Sequence, residues 1–224
     1  MLTSGVPEWL SFSNGLFLVF FVLYALSLQF NPGEARWSTM LPILLVGVFT
    51  YGIEWIGVKY GWPFGSYVYT DVLGFAAGGV PFGIPCAWIG ILITVVRMLS
   101  TTNRWLRALY TGGCTVVFDL VLDPVAFARE FWLWQEPGFF YGVPASNFIS
   151  WFFIAALLSL LFPVEAVTRK TQLACVRLLQ AMLLMFGLLA VKEGLVIPGL
   201  IALAGIAMAE GGLRFDRSGY KPMV

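Results

Sequence analysis

Apolar runs about as long as a bilayer is thick recur along this chain, and they limit its possible folds more than any other feature. A helix needs about 20 mostly apolar residues to cross the hydrocarbon core. Runs of that kind cover approximately Gly15–Phe30, Thr39–Val58, Val80–Leu99, Leu106–Phe127, Asn147–Phe162, Leu173–Val191 and Leu195–Ala209. Lys192-Glu193-Gly194 alone parts the last two, which together run to about 37 residues, too long for one crossing, so a tight turn is predicted there. The first run has no Lys or Arg before it and no small-residue cleavage site after it, and is expected to be a span and not a signal peptide. Composition agrees: 59% of residues are hydrophobic and 11% charged, against about 25% charged in soluble domains. The fold class predicted is all-α, a polytopic transmembrane bundle of about seven spans forming a single integral-membrane domain over residues 1–224.

Lys and Arg placement orients such a bundle. With the N-terminus outside and the C-terminus inside, Arg36, Arg97, Arg104, Arg107, Arg169, Lys170, Arg177, Arg214, Arg217 and Lys221 fall on the inner side. Only Lys59, Arg129 and Lys192 fall outside. These residues are read as topology signals without a catalytic role. The expected location is a multi-pass position in a prokaryotic cell (inner) membrane.

Against that background Phe118-Asp119-Leu120-Val121-Leu122-Asp123-Pro124 stands out. Asp119 and Asp123 are four residues apart, so on a helix they share a face. A carboxylate at mid-bilayer costs about 2.5–3.5 kcal/mol on insertion scales, so a pair needs a shared proton or a partner across the bundle. Glu54 lies about six residues, or roughly 9 Å, below the outer end of its span, Asp123 at similar depth and Asp119 about 6 Å deeper. All three acids are therefore expected in the outer half of the membrane. Asn147, at the start of the fifth span, suits either a helix N-cap or a role in holding water at the site. Glu193 is read as part of the outer turn, and Glu165 and Glu210 as inner-side residues outside the chemistry.

Two outer connections lie over these acids. One is Gly61-Trp62-Pro63-Phe64-Gly65-Ser66-Tyr67-Val68-Tyr69, continuing to Gly79; the other runs from Phe131-Trp132-Leu133-Trp134 to Phe139-Phe140-Tyr141-Gly142. An interfacial aromatic belt explains part of this, but the density favours a lid or groove for an apolar ligand. Gly79-Val80-Pro81 precedes Trp88 as Gly142-Val143-Pro144 precedes Trp151, each proline seven residues before its tryptophan. The pattern reads as a weak internal repeat of helical hairpins over about 40–99 and 106–163. Such repeats frame central sites in transporters too, so the repeat does not separate enzyme from carrier.

The chain has no histidine, which removes imidazole acid–base chemistry and histidine-built iron sites. Cys86, Cys114 and Cys175 are isolated, so no metal site is expected. One DxxxD without a second cluster argues against magnesium–diphosphate prenyl transfer. No nucleotide fingerprint and no nucleic-acid feature is present. What remains is carboxyl groups, aromatics and an apolar cavity, which suits acid-initiated chemistry on an alkene. A buried carboxyl protonates a C=C bond, Trp or Tyr rings face the tertiary cation, and a second carboxylate activates water or removes a proton.

Glu54, Pro63-Phe64-Gly65-x-Tyr67-x-Tyr69, Gly79-Val80-Pro81 with Pro85 and Trp88, Asp119-x-x-x-Asp123-Pro124, Trp132-x-Trp134 and Tyr141-Gly142-Val143-Pro144-x-x-Asn147-Phe148-x-x-Trp151 together resemble the carotenoid 1,2-hydratases of the CruF type, a group that includes the bisanhydrobacterioruberin hydratases. The resemblance covers roughly Tyr51 to Trp151. It implies addition of water across the terminal C1–C2 double bond of an acyclic carotenoid end, giving a tertiary alcohol, without an organic cofactor. The expected partners are a carotenoid of the lycopene or γ-carotene kind, water and the lipid bilayer. Chemical inference makes Asp119 or Asp123 the proton donor and Glu54 or the other aspartate the group that handles water. Tyr67, Tyr69, Trp132, Trp134 and Trp151 are expected along the polyene, with Trp88, Tyr141 and Asn147 also at the substrate. The competing readings are an end-group cyclase or isomerase, and a non-catalytic carotenoid or lipid binder or proton-coupled carrier. A retinal-type photoreceptor would want a lysine in the middle of the last span, and Lys192 lies only at its edge.

Overall fold

The computed structural model describes residues 12–29, 37–164 and 167–219. Arg36, Glu165 and Lys221 from the sequence reading lie outside these residues, as does the side chain of Arg217. Seven helices form among the described residues: α1 (Phe12–Ser27), α2 (Trp37–Tyr60), α3 (Gly83–Val96), α4 (Arg104–Ala128), α5 (Ala145–Ser159), α6 (Arg169–Lys192) and α7 (Val196–Gly219). By length and composition α2, α4, α6 and α7 suffice to cross a membrane, while α1, α3 and α5 are apolar but shorter. The tight turn predicted after Lys192 is present: α6 ends there and α7 starts at Val196.

The expected spans beginning at Val80 and Asn147 differ from the helices observed, for different reasons. Val80 and Pro81 form strand β3, paired antiparallel with β2 (Ala76–Ala77), so α3 begins only at Gly83. At α5 the helix starts two residues earlier than predicted because Pro144, extended at φ −66° and ψ 146°, serves as its N-cap. Proline fits a helix start because its missing N–H would have no partner there.

Helix termini are tied by side chains the sequence supplies in place. Asn103 Oδ1 accepts the backbone N–H groups of Trp105 and Leu106 at 3.0 and 3.1 Å, starting α4. Thr168 Oγ1 accepts the N–H of Thr171, starting α6. Arg107, buried on α4, donates to the carbonyls of Pro163 at 2.8 Å, Phe162 at 2.7 Å and Ser159 at 3.2 Å. The guanidinium thus satisfies carbonyls that the end of α5 leaves unpaired, and its charge suits that pole of the helix. Replacing Arg107 by Ala is expected to lower the unfolding free energy by about 1.5–3 kcal/mol, the range for hydrogen bonds to a charged group. Thermal unfolding in detergent checks this, and Arg107→Lys should recover only part of the loss.

α4 packs against α5, α7, α6 and α3, and α3 in turn packs against α1, α2 and α6. One end of the bundle gathers basic side chains: Arg97 donates to Gln29, Arg169 to the Leu213 carbonyl, and Arg177 and Arg214 pair with Glu210. The opposite end carries strand structure that the helical reading of the sequence did not anticipate. Strand β1 (Tyr67–Tyr69) pairs antiparallel with β4 (Trp132–Trp134) in the register Tyr67↔Trp134, Val68↔Leu133 and Tyr69↔Trp132. The two aromatic connections are therefore one hydrogen-bonded unit, extended by Gln135 N–H donating to the Ser66 carbonyl and Thr70 N–H to the Phe131 carbonyl. Side chains alternate across a strand, so both Tyr and both Trp share the face turned to the bundle, while Val68 and Leu133 face out. Glycine sets the approach of the backbone here. A Cβ at Gly138 would stand about 2 Å from the Val143 backbone.

Candidate active site

Beneath the β1–β4 sheet lies a largely apolar cavity of about 170 Å³ lined by residues of α1 to α6 and of the sheet. Glu54 enters it from α2, buried at 4% exposure. Its Oε2 accepts the hydroxyls of Tyr67 at 2.5 Å and Tyr69 at 2.8 Å, and its Oε1 accepts the Trp88 indole N–H at 2.9 Å. Three donors from two strand residues and α3 thus converge on one carboxylate, an arrangement that suits the anion. Gly57, one turn along α2, leaves room for this: a Cβ there would lie 2.8 Å from the Tyr67 hydroxyl and from the Phe64 ring. Burial first, and then the Glu54 charge, push the Tyr67 and Tyr69 hydroxyls above their ordinary range, so both remain protonated donors.

Asp119 and Asp123 share one face of α4, as their spacing predicts, and both are buried. The side-chain amide of Asn147 on α5 bridges them: Nδ2 donates to Asp119 Oδ2 at 2.9 Å and also to Asp123 Oδ2. Trp132 Nε1 donates to Asp123 Oδ1 at 2.6 Å. Asp119 Oδ1 and the Trp134 indole N–H are buried and make no hydrogen bond to the described residues. Of the pair, Asp123 lines the cavity, while Asp119 stands behind it. Asn147 lies inside the first turn of α5, and its side chain serves the acids; the cap position belongs to Pro144.

Trp88 and Trp151 stack at 4.1 Å between ring centroids and 28° between planes, forming a slab along the cavity wall. Tyr67, Tyr69, Trp132 and Trp134 line the same space and touch one another, Tyr67 with Trp134 at 5.1 Å and Tyr69 with Trp132 at 5.8 Å. Ten of the eleven residues singled out from the sequence are thus brought together. Tyr141 is the exception: it holds a positive φ of 50°, and its hydroxyl accepts the Ile197 N–H at the start of α7 at 3.3 Å, away from the cavity lining.

The sequence assigns no individual site role to Phe64, Arg129 or the apolar wall from α1 and α6, all of which line the cavity. In the sequence Arg129 reads as a topology charge and Glu193 as a turn residue, yet the two form an ion pair at 3.0 Å, with Arg129 in the cavity lining. The alternation Tyr-Val-Tyr and Trp-Leu-Trp was a strand signal of period two, available but read only as aromatic density. Among the described residues no group of three or more His, Cys, Asp or Glu comes together as a metal-ligand set.

Comparison with known proteins follows the same direction. The bisanhydrobacterioruberin hydratase of Haloarcula japonica is 37% identical over 132 residues, 54% of this chain and 44% of that protein, so the chain spans less than half the length of this relative. No solved structure matches. The family model described as carotenoid biosynthesis protein matches residues 13–209, nearly all of the helical bundle. The chain therefore belongs to the carotenoid biosynthesis protein family, where its CruF-type motifs had pointed.

Proposed function

We propose that this protein is a carotenoid hydratase that adds water across the terminal C1–C2 double bond of an acyclic end group, giving a tertiary alcohol. The observation that carries the reading is the convergence of Glu54, Asp123 and a stacked Trp pair on one apolar cavity. Two carboxyls close enough to share one amide donor suit a pair holding a single proton between them. Asp123, facing the cavity, delivers that proton to C2, and the π electrons of the double bond form the new C–H bond. The positive charge left at C1 faces the Trp88–Trp151 slab and the Glu54 anion. Water adds its oxygen to C1, and the proton it loses returns to the Asp123–Asp119 pair. One water is consumed and the carboxyls end as they began.

Within this reading the N-terminus lies outside and the acids occupy the outer half of the membrane, so the strand-bearing end faces out. The hairpins α2–α3 and α4–α5 act as two halves of one domain, each closing the site with a strand and a tryptophan. The substrate is a membrane-dissolved carotenoid with an acyclic end, and the site is that of a multi-pass protein of a prokaryotic cell membrane.

Expression in a host that accumulates lycopene or γ-carotene, grown in ¹⁸O-labelled water, tests the activity. The expected result is a more polar pigment heavier by one labelled water. A new pigment of unchanged mass would mean cyclisation or isomerisation, and recovery of every acyclic carotenoid unchanged would leave a binder or carrier.

A further inference from the structure

We infer that the carotenoid chain enters and leaves this site sideways from the bilayer, through a portal between α1 and α6 at the strand-bearing end. The inference rests on the proposed reading for the identity of the occupant. Size comes first. An apolar cavity of about 150 Å³ admits a benzene-sized molecule, and this one measures about 170 Å³. It holds an end group, whereas the hydrocarbon core that dissolves the whole polyene is about 30 Å thick. Most of the chain must therefore lie outside the cavity while its end reacts, and outside means lipid, because a polyene gains nothing from water.

The helix arrangement shows where the wall is weakest. α1 and α6 both contribute to the cavity wall, but each packs elsewhere, α1 on α3 and α6 on α7, α4 and α3, and they have no such packing between them among the described residues. At the basic end both are fastened to the same segment, the end of α3: Arg97 donates to Gln29 at 2.8 Å, and Gln172 on α6 to the Met98 carbonyl at 2.9 Å. At the strand-bearing end their fastenings diverge. Asn14 of α1 donates to the Val72 carbonyl, whereas the α6 end is held to α4 by the Glu193–Arg129 pair. The two helices are thus joined below through α3 and fastened to different partners above, where both line the cavity.

The side chains at this gap have the character of a mouth. Phe17 on α1 and Met185 and Leu189 on α6 line the cavity yet are only half-buried. Met185 and Leu189 are one helical turn apart and so form a continuous apolar edge. The polar groups of the rim, Arg129 and Asn14, are engaged with Glu193 and Val72, leaving an apolar sill for the chain.

Two measurements test the portal. Met185→Trp and Leu189→Trp narrow it, and Leu188→Trp, on the lipid-facing side of the same helix, serves as control. The narrowed variants are expected to lose about 10²-fold in lycopene hydration, the effect of misplacing a reacting end by an ångström or so, while the control retains the parent rate. A benzophenone side chain at 185 or 189 should also capture the pigment on illumination in far higher yield than one at 188. Parental lycopene hydration by the narrowed, folded variants would overturn the portal, as would equal capture at all three positions. Selective capture at 185 and 189 without hydration by the parent protein would keep the portal and remove the hydratase reading, so the two failures are distinct.

Discussion

Asp123→Asn is expected to lower carotenoid hydration by about 10²–10⁴-fold, the usual contribution of a positioned proton donor, while leaving the protein folded. The asparagine is the same size as the carboxyl it replaces and keeps one oxygen to accept from Trp132, but it turns its amide nitrogen to Asn147 Nδ2, so that one hydrogen bond is lost. Asn147 keeps its bond to Asp119, so α5 stays tied to α4, and what the proposed mechanism loses is the acidic proton at the cavity wall. Asp119→Asn should cost less, because Asp119 stands behind Asp123 and reaches the substrate only through it and Asn147. Its distinguishing readout is the pH–rate profile. Asp119→Asn leaves Asp123 without its proton-sharing partner and so moves the profile, whereas a merely structural Asp119 would change protein yield and leave the profile in place. Parental turnover by folded Asp123→Asn would remove this residue from the chemistry and leave Glu54 as the acid to examine.

The acids were legible because membrane physics makes them conspicuous. A carboxyl in an apolar run needs a reason, and Asp119 and Asp123 at four-residue spacing share a face on any helix. The helix count and the α6–α7 turn were legible for the same kind of reason, since apolar length and the short Lys192-Glu193-Gly194 break leave few alternatives. The pairing of β1 with β4 was not. Its partners are separated by more than 60 residues of sequence, so the Tyr-Val-Tyr and Trp-Leu-Trp alternations signal two strands without saying that they pair with each other. For the same reason the donors to Glu54 could not be named in advance: Tyr67, Tyr69 and Trp88 arrive from three-dimensional packing, not spacing. Asn147 was placed at the site or at a cap, and only the position of Pro144 decides between them. Tyr141 belongs to the same motif as Asn147, but the positive φ at Tyr141 turns it toward α7. Arg129 and Glu193 each read as ordinary interfacial charges, and their pairing depends on how the ends of α4 and α6 meet.

Glu54 is expected to show the second large effect, and two substitutions separate its roles. Glu54→Leu removes the acceptor of the Tyr67 and Tyr69 hydroxyls and the Trp88 indole at once. Each buried donor left unpaired costs about 1–3 kcal/mol, a large share of the roughly 5–15 kcal/mol that holds a domain together. This variant should melt far below the parent or fail to accumulate. Glu54→Gln keeps one oxygen for the two tyrosines and places an amide against the Trp88 N–H, so it orphans one donor and removes the charge. It should fold, with a modest fall in melting temperature, and lose about 10²–10³-fold in hydration, the scale of a removed electrostatic partner of the transition state. Tyr69→Phe supplies the control for packing. It deletes a donor to the same oxygen while leaving the anion in place, and is expected to retain far more activity than Glu54→Gln at similar stability. The double substitution should cost less in stability than the sum of the singles, since the two side chains share one hydrogen bond. If Glu54→Gln instead hydrates at the parental rate, the carboxylate only anchors β1 and α3, and the cation at C1 relies on the Trp88–Trp151 slab and on Asp123 after it has given up its proton.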